Sequence, residues 1–355
     1  MEMPTLINGP QTSDFRLKDF LSRLMRGESL SRREANGLLE SLLNGDATDG
    51  QIAAALVALK LKGETVEELA GLAEGMRARS VRINSRHERF IDTAGTGSSC
   101  AKTFNVSTAA AFVIAGAGLP VAKHGNRAAS SKCGSADVLA ALGVNISVAP
   151  EQSEKTLNEI GICFMFAPLY HSATARVAAI RRELGVQTTF NLLGPLTNPA
   201  GAPRQIVGVS DREKIEPMAR ALALLGTERA WVVHGADGLD EVTVAGETFV
   251  AEATDGAVRK FEIEPEDFGI NRGSIDGLGG GDADANASII QDVLSGKRRD
   301  EARLLVLVNS AAALHVGGSA PDLKAGIRLA AESIDTGRAF EKLNELSRLS
   351  NEASE

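Results

Sequence analysis

Apolar and polar positions in residues 1–80 repeat with the period of an α-helix. This pattern predicts helices over residues 15–25, 31–43, 48–61 and 65–78. Ser31 with Glu34, and Thr65 with Glu68, have the spacing of capping boxes, in which two side chains satisfy backbone N–H groups at the start of a helix. The N-terminal part of the chain is therefore predicted to form a small helical bundle.

From residue 85 onward the pattern changes, and short apolar runs alternate with segments of helical period. The runs predict strands at residues 90–93, 121–124, 163–166, 205–209 and 230–233. Strands that alternate with helices are typical of a parallel sheet covered by helices. Segments 242–250 and 258–263 predict an antiparallel addition at one edge. The predicted fold class is α/β, with a small N-terminal helical bundle domain and a large α/β domain whose mostly parallel central sheet is covered by helices.

A polar loop with glycines, residues 92–99, follows the first predicted strand. A polar shoulder leads from it into the apolar run 109–117, and the shoulder residues are Thr103, Asn105, Ser107 and Thr108. Glycines let the backbone approach an anion closely, and a helix N-terminus offers unpaired N–H groups to receive it. Ser107 or Thr108 is the expected N-cap. A glycine turn between strand and helix is also ordinary packing, so this loop alone indicates a phosphate site only weakly.

A second polar loop follows the next predicted strand. Its polar side chains are Lys123, His124, Asn126, Arg127, Ser130, Ser131, Lys132 and Ser135. A solvated surface loop would also be polar, but this one lies between two apolar segments of a buried kind, 109–121 and 136–144. In open α/β sheets ligands bind outside the carboxyl ends of the strands. The two loops together predict a site for a ligand rich in phosphate.

Composition limits the classes of function. Of the 355 residues, 43% are hydrophobic and 24% are charged, as in a globular protein. The longest apolar runs, such as 109–119 and 304–314, are too short or too interrupted to span a bilayer, and residues 1–15 show no secretory pattern. The net charge of −8 disfavours general nucleic-acid binding. The three cysteines have no metal-ligand spacing and are expected to be reduced, which predicts a cytoplasmic protein.

Several motifs spread along the chain resemble those of a known protein family. They are Asn105-Val-Ser-Thr-Ala-Ala-Ala-Phe112, Lys123-His-Gly-Asn-Arg-Ala-Ala-Ser-Ser131, Gly134-Ser-Ala-Asp-Val-Leu139, Phe166-Ala-Pro-Leu-Tyr-His171, Phe190-Asn-Leu-Leu-Gly-Pro-Leu-Thr-Asn-Pro199 and Gly238-Leu-Asp-Glu241. Over essentially the whole chain, residues 17–349, the sequence resembles the anthranilate phosphoribosyltransferase family, whose fold is nucleoside phosphorylase-like. The resemblance implies transfer of the phosphoribosyl group of 5-phosphoribosyl 1-pyrophosphate (PRPP) to the amine of anthranilate. That reaction gives N-(5-phosphoribosyl)anthranilate and pyrophosphate, in the second step of tryptophan biosynthesis from chorismate.

The resemblance also implies site residues. For PRPP it points to Gly95, Ser98, Ser99, Thr103, Asn105, Val106, Ser107, Thr108, Lys123, His124, Gly125, Asn126, Arg127, Ala128, Ala129, Ser130, Ser131 and Ser135. For anthranilate it points to Gly95, Asn126 and Arg181. For a Mg²⁺ cofactor it points to Ser107, Asp240 and Glu241. No covalent nucleophile is expected.

The residue types suit these roles. A guanidinium such as that of Arg181 can bind a carboxylate bidentately, and Mg²⁺ prefers a few protein oxygens besides water and phosphate oxygens. Taken alone, Asp240 and Glu241 indicate a solvated turn, and Arg181 an exposed helix residue. His124 and His171 lie where family members have histidines near the aromatic substrate, and each is either a direct contact or part of the surrounding core.

The first loop departs from the family pattern. Family members usually have Gly-Thr-Gly-Gly-Asp where this chain has Gly95-Thr-Gly-Ser-Ser99. Serines thus replace a flexible glycine and a carboxylate near the metal and pyrophosphate. The affinity for PRPP and its metal dependence are therefore expected to differ from those of the family, and the nearby Lys102 is a candidate phosphate contact.

The resemblance further implies a domain organisation. The helical domain comprises residues 1–82 and is joined by helices around residues 170–188, and the α/β domain comprises residues 86–169 and 189–355. A homodimer through the helical domain is implied as well, with small-molecule substrates and neither nucleic acid nor membrane as partner. A glycine-rich stretch, Gly279-Gly-Gly-Asp282, is either a third phosphate loop or a connection whose Asp282 caps the next helix, and we favour the connection.

Two other functions remain open at the level of sequence. A pyrimidine nucleoside phosphorylase-like enzyme would share the fold and a glycine loop, but it would bind free phosphate and a base. A non-catalytic relative that binds nucleic acid would be expected to have a basic character that this chain lacks.

Overall fold

The computed structural model describes residues 16–97, 103–128 and 132–352. The described chain begins with a bundle of helices, as the sequence predicts: α1 (Leu17–Met25), α2 (Arg32–Leu43), α3 (Asp49–Lys62) and α4 (Val66–Ala78). Ser31 and Thr65 form the predicted capping boxes with Glu34 and Glu68, and Thr48 forms a third. These boxes satisfy N–H groups that each helix would otherwise leave unpaired at its start.

A central sheet forms the middle of the rest of the molecule. In the described residues it has seven strands, β1 (Ile91–Gly95), β2 (Val121–Gly125), β3 (Ile162–Phe166), β4 (Arg204–Gly208), β5 (Arg229–Gly235), β6 (Thr248–Thr254) and β7 (Ala257–Ile263). Their order across the sheet is β3-β2-β1-β4-β5-β6-β7. The strands from β3 to β5 are parallel, and β6 and β7 are antiparallel. The predicted fold class is confirmed.

One predicted strand is displaced. Segment 242–250 was expected to be extended throughout, but β6 begins only at Thr248. Val242 and Val244 are buried without joining the sheet. The Asn309 side chain, on α13, bonds the Val242 backbone in both directions, accepting from its N–H at 2.9 Å and donating to its carbonyl at 2.9 Å. The apolar character of this segment therefore reflects burial outside the sheet.

Helices cover both faces of the sheet. After the bundle they are α5 (Val106–Gly116), α6 (Ser135–Ala141), α7 (Pro150–Ile160), α8 (Ala167–Tyr170), α9 (Ala175–Leu184), α10 (Phe190–Leu196), α11 (Ile215–Leu224), α12 (Ala283–Leu294), α13 (Glu301–Val316), α14 (Leu323–Asp335) and α15 (Arg338–Asn351). Short 3₁₀ turns occur at Ser172–Thr174, Arg212–Lys214 and Pro265–Phe268. Helices α5, α12, α13, α14 and α15 share one apolar core with the sheet, and the N-terminal helices share a second core with α9, α10, α11 and the other face.

Helix α9 packs against the N-terminal bundle. Its Val177 and Ile180 belong to the same apolar core as the bundle helices. Arg176 donates to the Asp49 carboxylate at 2.8 Å and to the Gly45 carbonyl at 3.3 Å. These contacts agree with the predicted joining of residues 170–188 to the helical domain, although the exact division of the chain into domains stays a prediction.

Among the described residues, no helix combines the length and the apolar character that crossing a bilayer requires. Cys133 and Cys163 are buried free thiols.

Candidate active site

The first polar loop starts where β1 ends at Gly95, and the described chain resumes at Thr103 just before α5. The predicted contacts Ser98 and Ser99, and Lys102, lie outside the described residues. The predicted N-cap is wrong, because α5 begins at Val106 with Asn105 at the N-cap position and without a side-chain cap bond. Ser107 and Thr108 lie inside the first turn of α5, and the Ser107 carbonyl accepts a hydrogen bond from Thr93 Oγ1 at 3.1 Å.

The second loop follows β2 and is organised by Asp137. Its Oδ2 accepts hydrogen bonds from the N–H groups of Ala128 and Gly134, each at 2.9 Å, and its Oδ1 accepts from the exposed Arg127 at 2.8 Å. Burial works to raise the pKa of Asp137, but these three donors hold it below its usual value. The predicted contacts Ala129, Ser130 and Ser131 lie outside the described residues.

Glycines keep the second loop compact. A Cβ on Gly125 would lie 2.2 Å from Ser135 Oγ, and one on Gly134 would lie 2.4 Å from the Ala128 nitrogen. Asn126 is exposed beside them, and its carbonyl accepts hydrogen bonds from the Ala136 N–H at 3.2 Å and from Ser135 Oγ at 3.3 Å. The loop therefore folds back onto the start of α6 and presents Asn126 to solvent.

Lys123 connects the two loops. Its buried Nζ donates to the Thr93 carbonyl and lies 3.4 Å from Ser107 Oγ. Glu241 approaches the same point, because its Oε1 accepts a hydrogen bond from the Ser107 N–H at 3.2 Å. Burial, and then the neighbouring charge of Asp240, raise the pKa of Glu241. Residues from β1, α5, β2 and the segment after β5 thus meet at Ser107.

Asp240 reaches this place because Gly208, at the end of β4, has no side chain. A Cβ on Gly208 would lie 1.6 Å from the Asp240 carbonyl oxygen, so no other residue fits there. A Cβ on Gly95 would lie 3.6 Å from Asp240 Oδ2. The predicted metal residues Ser107, Asp240 and Glu241 are therefore gathered at the carboxyl ends of β1, β4 and β5, where open α/β sheets bind ligands.

The donor set at Ser107 suits Mg²⁺. It offers two carboxylates and a hydroxyl, which are hard oxygen ligands. The described residues contain no group of three or more His, Cys, Asp or Glu side chains that could hold a metal without further ligands. A cation here would need oxygens from a bound phosphate ligand, which is the usual arrangement for Mg²⁺ at phosphate sites.

A pair of buried histidines lies next to Lys123. The rings of His124 and His171 are 5.2 Å apart, and the Nε2 atom of each is buried with no hydrogen-bond partner in the described part of the chain. Burial lowers the pKa of His124 to about 3 and that of His171 to about 4. Both rings are therefore neutral at physiological pH and each keeps a nitrogen unused by the fold.

Arg181 lies on α9 and is anchored from α10. Its Nη2 donates to Asn191 Oδ1 at 3.0 Å, and its guanidinium carbon is 5.5 Å from the centre of the Phe190 ring. Burial lowers the pKa of Arg181, and its Nε is a buried donor without a partner. Within residues 16–97, 103–128 and 132–352 it forms no ion pair. The arginine is therefore a partly buried cation with an unused donor.

Several residues that hold the site together were missed by sequence reasoning. Buried Asp92 accepts from the His124 N–H at 3.2 Å and from Asn198 Nδ2 at 2.7 Å, which ties β1 to β2 and to the segment after α10. Asn191 orients Arg181, and Asp137 shapes the second loop. Only Asp137 had a local signal, since it lies three residues after Gly134 in a capping-box position.

Two family profiles match the sequence. The helical bundle domain of the glycosyl transferase family matches residues 18–80, and the a/b domain of that family matches residues 87–340. The chain is 49% identical over 331 residues to an anthranilate phosphoribosyltransferase of Persephonella marina, an alignment that covers 93% of this chain and 98% of that protein. It is 50% identical over 337 residues to one of Rhodopseudomonas palustris, covering 95% of this chain and 99% of that protein.

Solved structures agree with these relatives. The crystal structure of anthranilate phosphoribosyltransferase from Thermus thermophilus superposes with a TM-score of 0.88 at 38% identity, covering 94% of this chain and 100% of that one. The Saccharomyces cerevisiae enzyme in complex with PRPP and Mg superposes with a TM-score of 0.86 at 29% identity, covering 96% of this chain and 99% of that one. With both family profiles matched and about half of the aligned residues identical to those of relatives covered almost completely, this chain belongs to the anthranilate phosphoribosyltransferase family.

Proposed function

We propose that this chain transfers the phosphoribosyl group of PRPP to the amine of anthranilate and releases pyrophosphate. The observation that carries the acceptor assignment is Arg181, a partly buried guanidinium with an unpartnered Nε and no anionic partner in the described residues. A buried cation without a counter-charge is costly to the fold, so a ligand carboxylate is the expected partner. Anthranilate supplies that carboxylate on an aromatic ring.

The remaining site residues suit the donor. The anomeric carbon of PRPP acquires positive character as pyrophosphate leaves, so catalysis requires neutralisation of the leaving group and an amine held in line behind the carbon. Lys123, the first turn of α5 and the second loop supply cationic and N–H donors for the phosphates. Arg181 and Asn126 orient the acceptor, and the neutral rings of His124 and His171 line its aromatic side. No group of the chain needs to form a covalent bond with the substrate.

Ser107, Asp240 and Glu241 are the proposed ligands of Mg²⁺. When bound, the cation would neutralise charge on the pyrophosphate. The chain's own contribution is the hydrogen bond from the Ser107 N–H to Glu241 at 3.2 Å, which holds that carboxylate at the start of α5.

We also propose a cytoplasmic homodimer. Met25 on α1 and Leu61 on α3 are 78% and 82% exposed, which is unusual for large apolar side chains on neighbouring helices of one bundle. A second copy of the chain would cover them. Sedimentation equilibrium measures the assembly directly, and a monomer at micromolar concentration would contradict it.

The reaction is tested by following anthranilate fluorescence after addition of PRPP, with and without Mg²⁺. In the presence of the wild type, the anthranilate fluorescence is expected to fall, and the fall is expected to depend on Mg²⁺. Arg181→Ala is expected to raise the KM for anthranilate about 10- to 100-fold, since a charge-assisted hydrogen bond contributes roughly 1.5–3 kcal/mol. Asn191→Asp is expected to raise the same KM, because the new carboxylate would neutralise Arg181 from within the protein.

The matched control is Arg182→Ala. Arg182 is the exposed neighbour of Arg181 on α9, so its removal takes away the same charge without touching the site. An unchanged anthranilate KM is expected. If the wild type leaves the fluorescence unchanged at every Mg²⁺ concentration, the proposed reaction is wrong. If Arg181→Ala and Arg182→Ala behave alike, the carboxylate assignment is wrong.

A further inference from the structure

The glycine-rich stretch before α12 lies against the first phosphate loop. A Cβ on Gly280 would be 2.7 Å from the Thr103 carbonyl oxygen and 3.1 Å from Phe104 Cα. The Phe104 N–H also donates to the Leu278 carbonyl at 3.3 Å. Asp282 caps α12 as predicted, accepting from the Ala285 N–H at 2.9 Å. The stretch is therefore a connection that also forms a wall of the first loop.

Asn286, on the first turns of α12, links this wall to the site. It is buried, with 3% of its surface exposed. Its Oδ1 accepts a hydrogen bond from the Gly281 N–H at 2.7 Å, and its Nδ2 donates to Asn105 Oδ1 at 3.0 Å. Asn105 in turn donates from Nδ2 to the Cys133 carbonyl at 3.3 Å. One chain of hydrogen bonds thus runs from the wall through the first loop to the second loop.

The two backbone groups at the ends of this row of hydrogen bonds, the Gly281 N–H and the Cys133 carbonyl, fix the direction of every bond between them. The Gly281 N–H can only donate, so Asn286 must present its oxygen there and its NH₂ group to Asn105. The Cys133 carbonyl can only accept, so Asn105 must present its NH₂ group there and its oxygen to Asn286. The Asn105 amide consequently has one orientation, set from both sides.

Because its side chain is bonded in this way, Asn105 does not cap α5. An asparagine at the N-cap position normally accepts a hydrogen bond from the first turn of its own helix, but Asn105 makes no such bond to α5. Its amide is held across the gap between the two loops. Without Asn286, Asn105 would be free to rotate and cap α5.

We propose that Asn286 is a positioning residue for the phosphoribosyl donor, acting through Asn105 to hold the two phosphate loops in register. The inference rests on the proposed function and extends it to a residue that lies outside both loops. We expect the larger effect on PRPP, because Arg181 lies on α9 and is bonded to Asn191 of α10, away from α12.

The test compares Asn286→Leu with Ser333→Ala. Leucine has the same number and branching of side-chain heavy atoms as asparagine but neither donates nor accepts. Ser333, also buried, donates to the Val113 carbonyl at 2.8 Å near the other end of α5, so its removal deletes a buried hydrogen bond of the same helix away from the loops. Asn286→Leu is expected to raise the KM for PRPP about 10-fold, with kcat and the anthranilate KM within about 3-fold of wild type. Ser333→Ala is expected to leave all three constants at wild-type values.

A second variant guards against misfolding. Asn286→Asp still accepts from the Gly281 N–H, but it cannot donate to Asn105, which would have to turn its own oxygen toward the Cys133 carbonyl. It is expected to raise the KM for PRPP as well. A wild-type KM for PRPP in either folded variant would overturn the proposal. A parallel change of both KM values and kcat that Ser333→Ala reproduces would also overturn it, since it would indicate general loosening of α5.

Calorimetric titration with PRPP and Mg²⁺ separates this inference from the proposed reaction. If the wild type binds PRPP but does not consume anthranilate, the proposed reaction fails, while weaker PRPP binding by Asn286→Leu still supports the positioning role. Equal binding by wild type and variant overturns that role. If the wild type neither reacts nor binds PRPP, both proposals are overturned.

Discussion

Glu241 and Glu252 lie close together in the chain but in opposite electrostatic surroundings. Glu252, in β6, is buried and accepts hydrogen bonds from Trp231 Nε1 at 3.0 Å and from Arg229 Nε at 2.7 Å, and it is also paired with Arg259. Burial alone would raise the pKa of Glu252, but these donors lower it below its usual value. The fold fully satisfies this carboxylate.

Glu241 is left without such partners. It accepts one hydrogen bond, from the Ser107 N–H, and forms no ion pair among the described residues. Burial and the adjacent Asp240 raise its pKa, although the Lys123 charge works in the other direction. The same contrast separates Arg229, which is paired with Glu252, from Arg181, which has an unused donor.

The difference separates charged groups that are paired within the fold, such as Glu252 and Arg229, from charged groups that remain available to a ligand, such as Glu241 and Arg181. A buried ion pair adds little net stability over an apolar replacement, but an unpaired buried charge costs several kcal/mol in general. Unpaired polar groups that lie near the strand ends are therefore candidates for contact with a ligand. Arg181 and the histidine pair meet this description.

The largest expected effect comes from Glu241→Gln. Glutamine keeps the shape and can still accept from the Ser107 N–H, but it removes the charge. We expect kcat/KM to fall about 100-fold or more, corresponding to roughly 2.7 kcal/mol of transition-state stabilisation, with more Mg²⁺ needed for half-maximal rate. Without ligands, the variant is expected to be about 1 kcal/mol more stable than wild type, because glutamine avoids the cost of a buried carboxylate beside Asp240. Steady-state kinetics and urea unfolding measure the two effects.

Glu252→Gln is expected to give the reverse pattern. It leaves Arg229 and Arg259 without their shared anion, so the free energy of unfolding should fall by about 2–3 kcal/mol, less than for a fully buried pair because Arg259 is exposed. Both KM values should stay at wild-type levels. The control is Glu216→Gln, whose partners Arg220 and Lys260 are exposed and for which less than about 1 kcal/mol is expected. Loss of activity in Glu252→Gln without loss of stability would break the comparison.

The sequence predicts the fold well because strands and helices leave a periodic local signal. The runs at 90–93 and 121–124 became β1 and β2, since apolar segments between polar loops pack as buried strands. The signal failed at Val242 and Val244, which are buried outside the sheet, and the Val242 backbone is bonded by Asn309 of α13. Apolar character alone does not say which element covers a residue.

For the site, the sequence predicts which residues meet at the strand ends but not what holds them. The glycine loops, Lys123 and the acidic pair are recognisable by residue type and position. The N-cap prediction failed because α5 already begins at Val106, after Asn105, and the Asn105 side chain is bonded to Asn286 and to the Cys133 carbonyl, both remote in the chain. Hydrogen bonds between distant segments follow no local period, so Asn286, Asn191 and Asp92 became visible only in the folded chain.

The smallest expected effect is on the pH dependence of the unfolding free energy, and it tests whether the neutral rings of His124 and His171 are unpaired in the fold. His124 has its pKa lowered to about 3 by burial, against about 6.5 when unfolded, so between these values the unfolded chain binds one more proton and stability falls as pH falls. His171, with a pKa of about 4, acts in the same direction. Asp92, whose pKa is raised to about 6 by burial, acts oppositely between its unfolded value and pH 6 and offsets one histidine.

His124→Gln should therefore reduce the slope of unfolding free energy between pH 6 and pH 5 by up to about 1.4 kcal/mol per pH unit, measured by urea unfolding at each pH. The same slope in wild type and variant would mean that His124 is already paired in the folded protein and is not one of the groups left for a ligand.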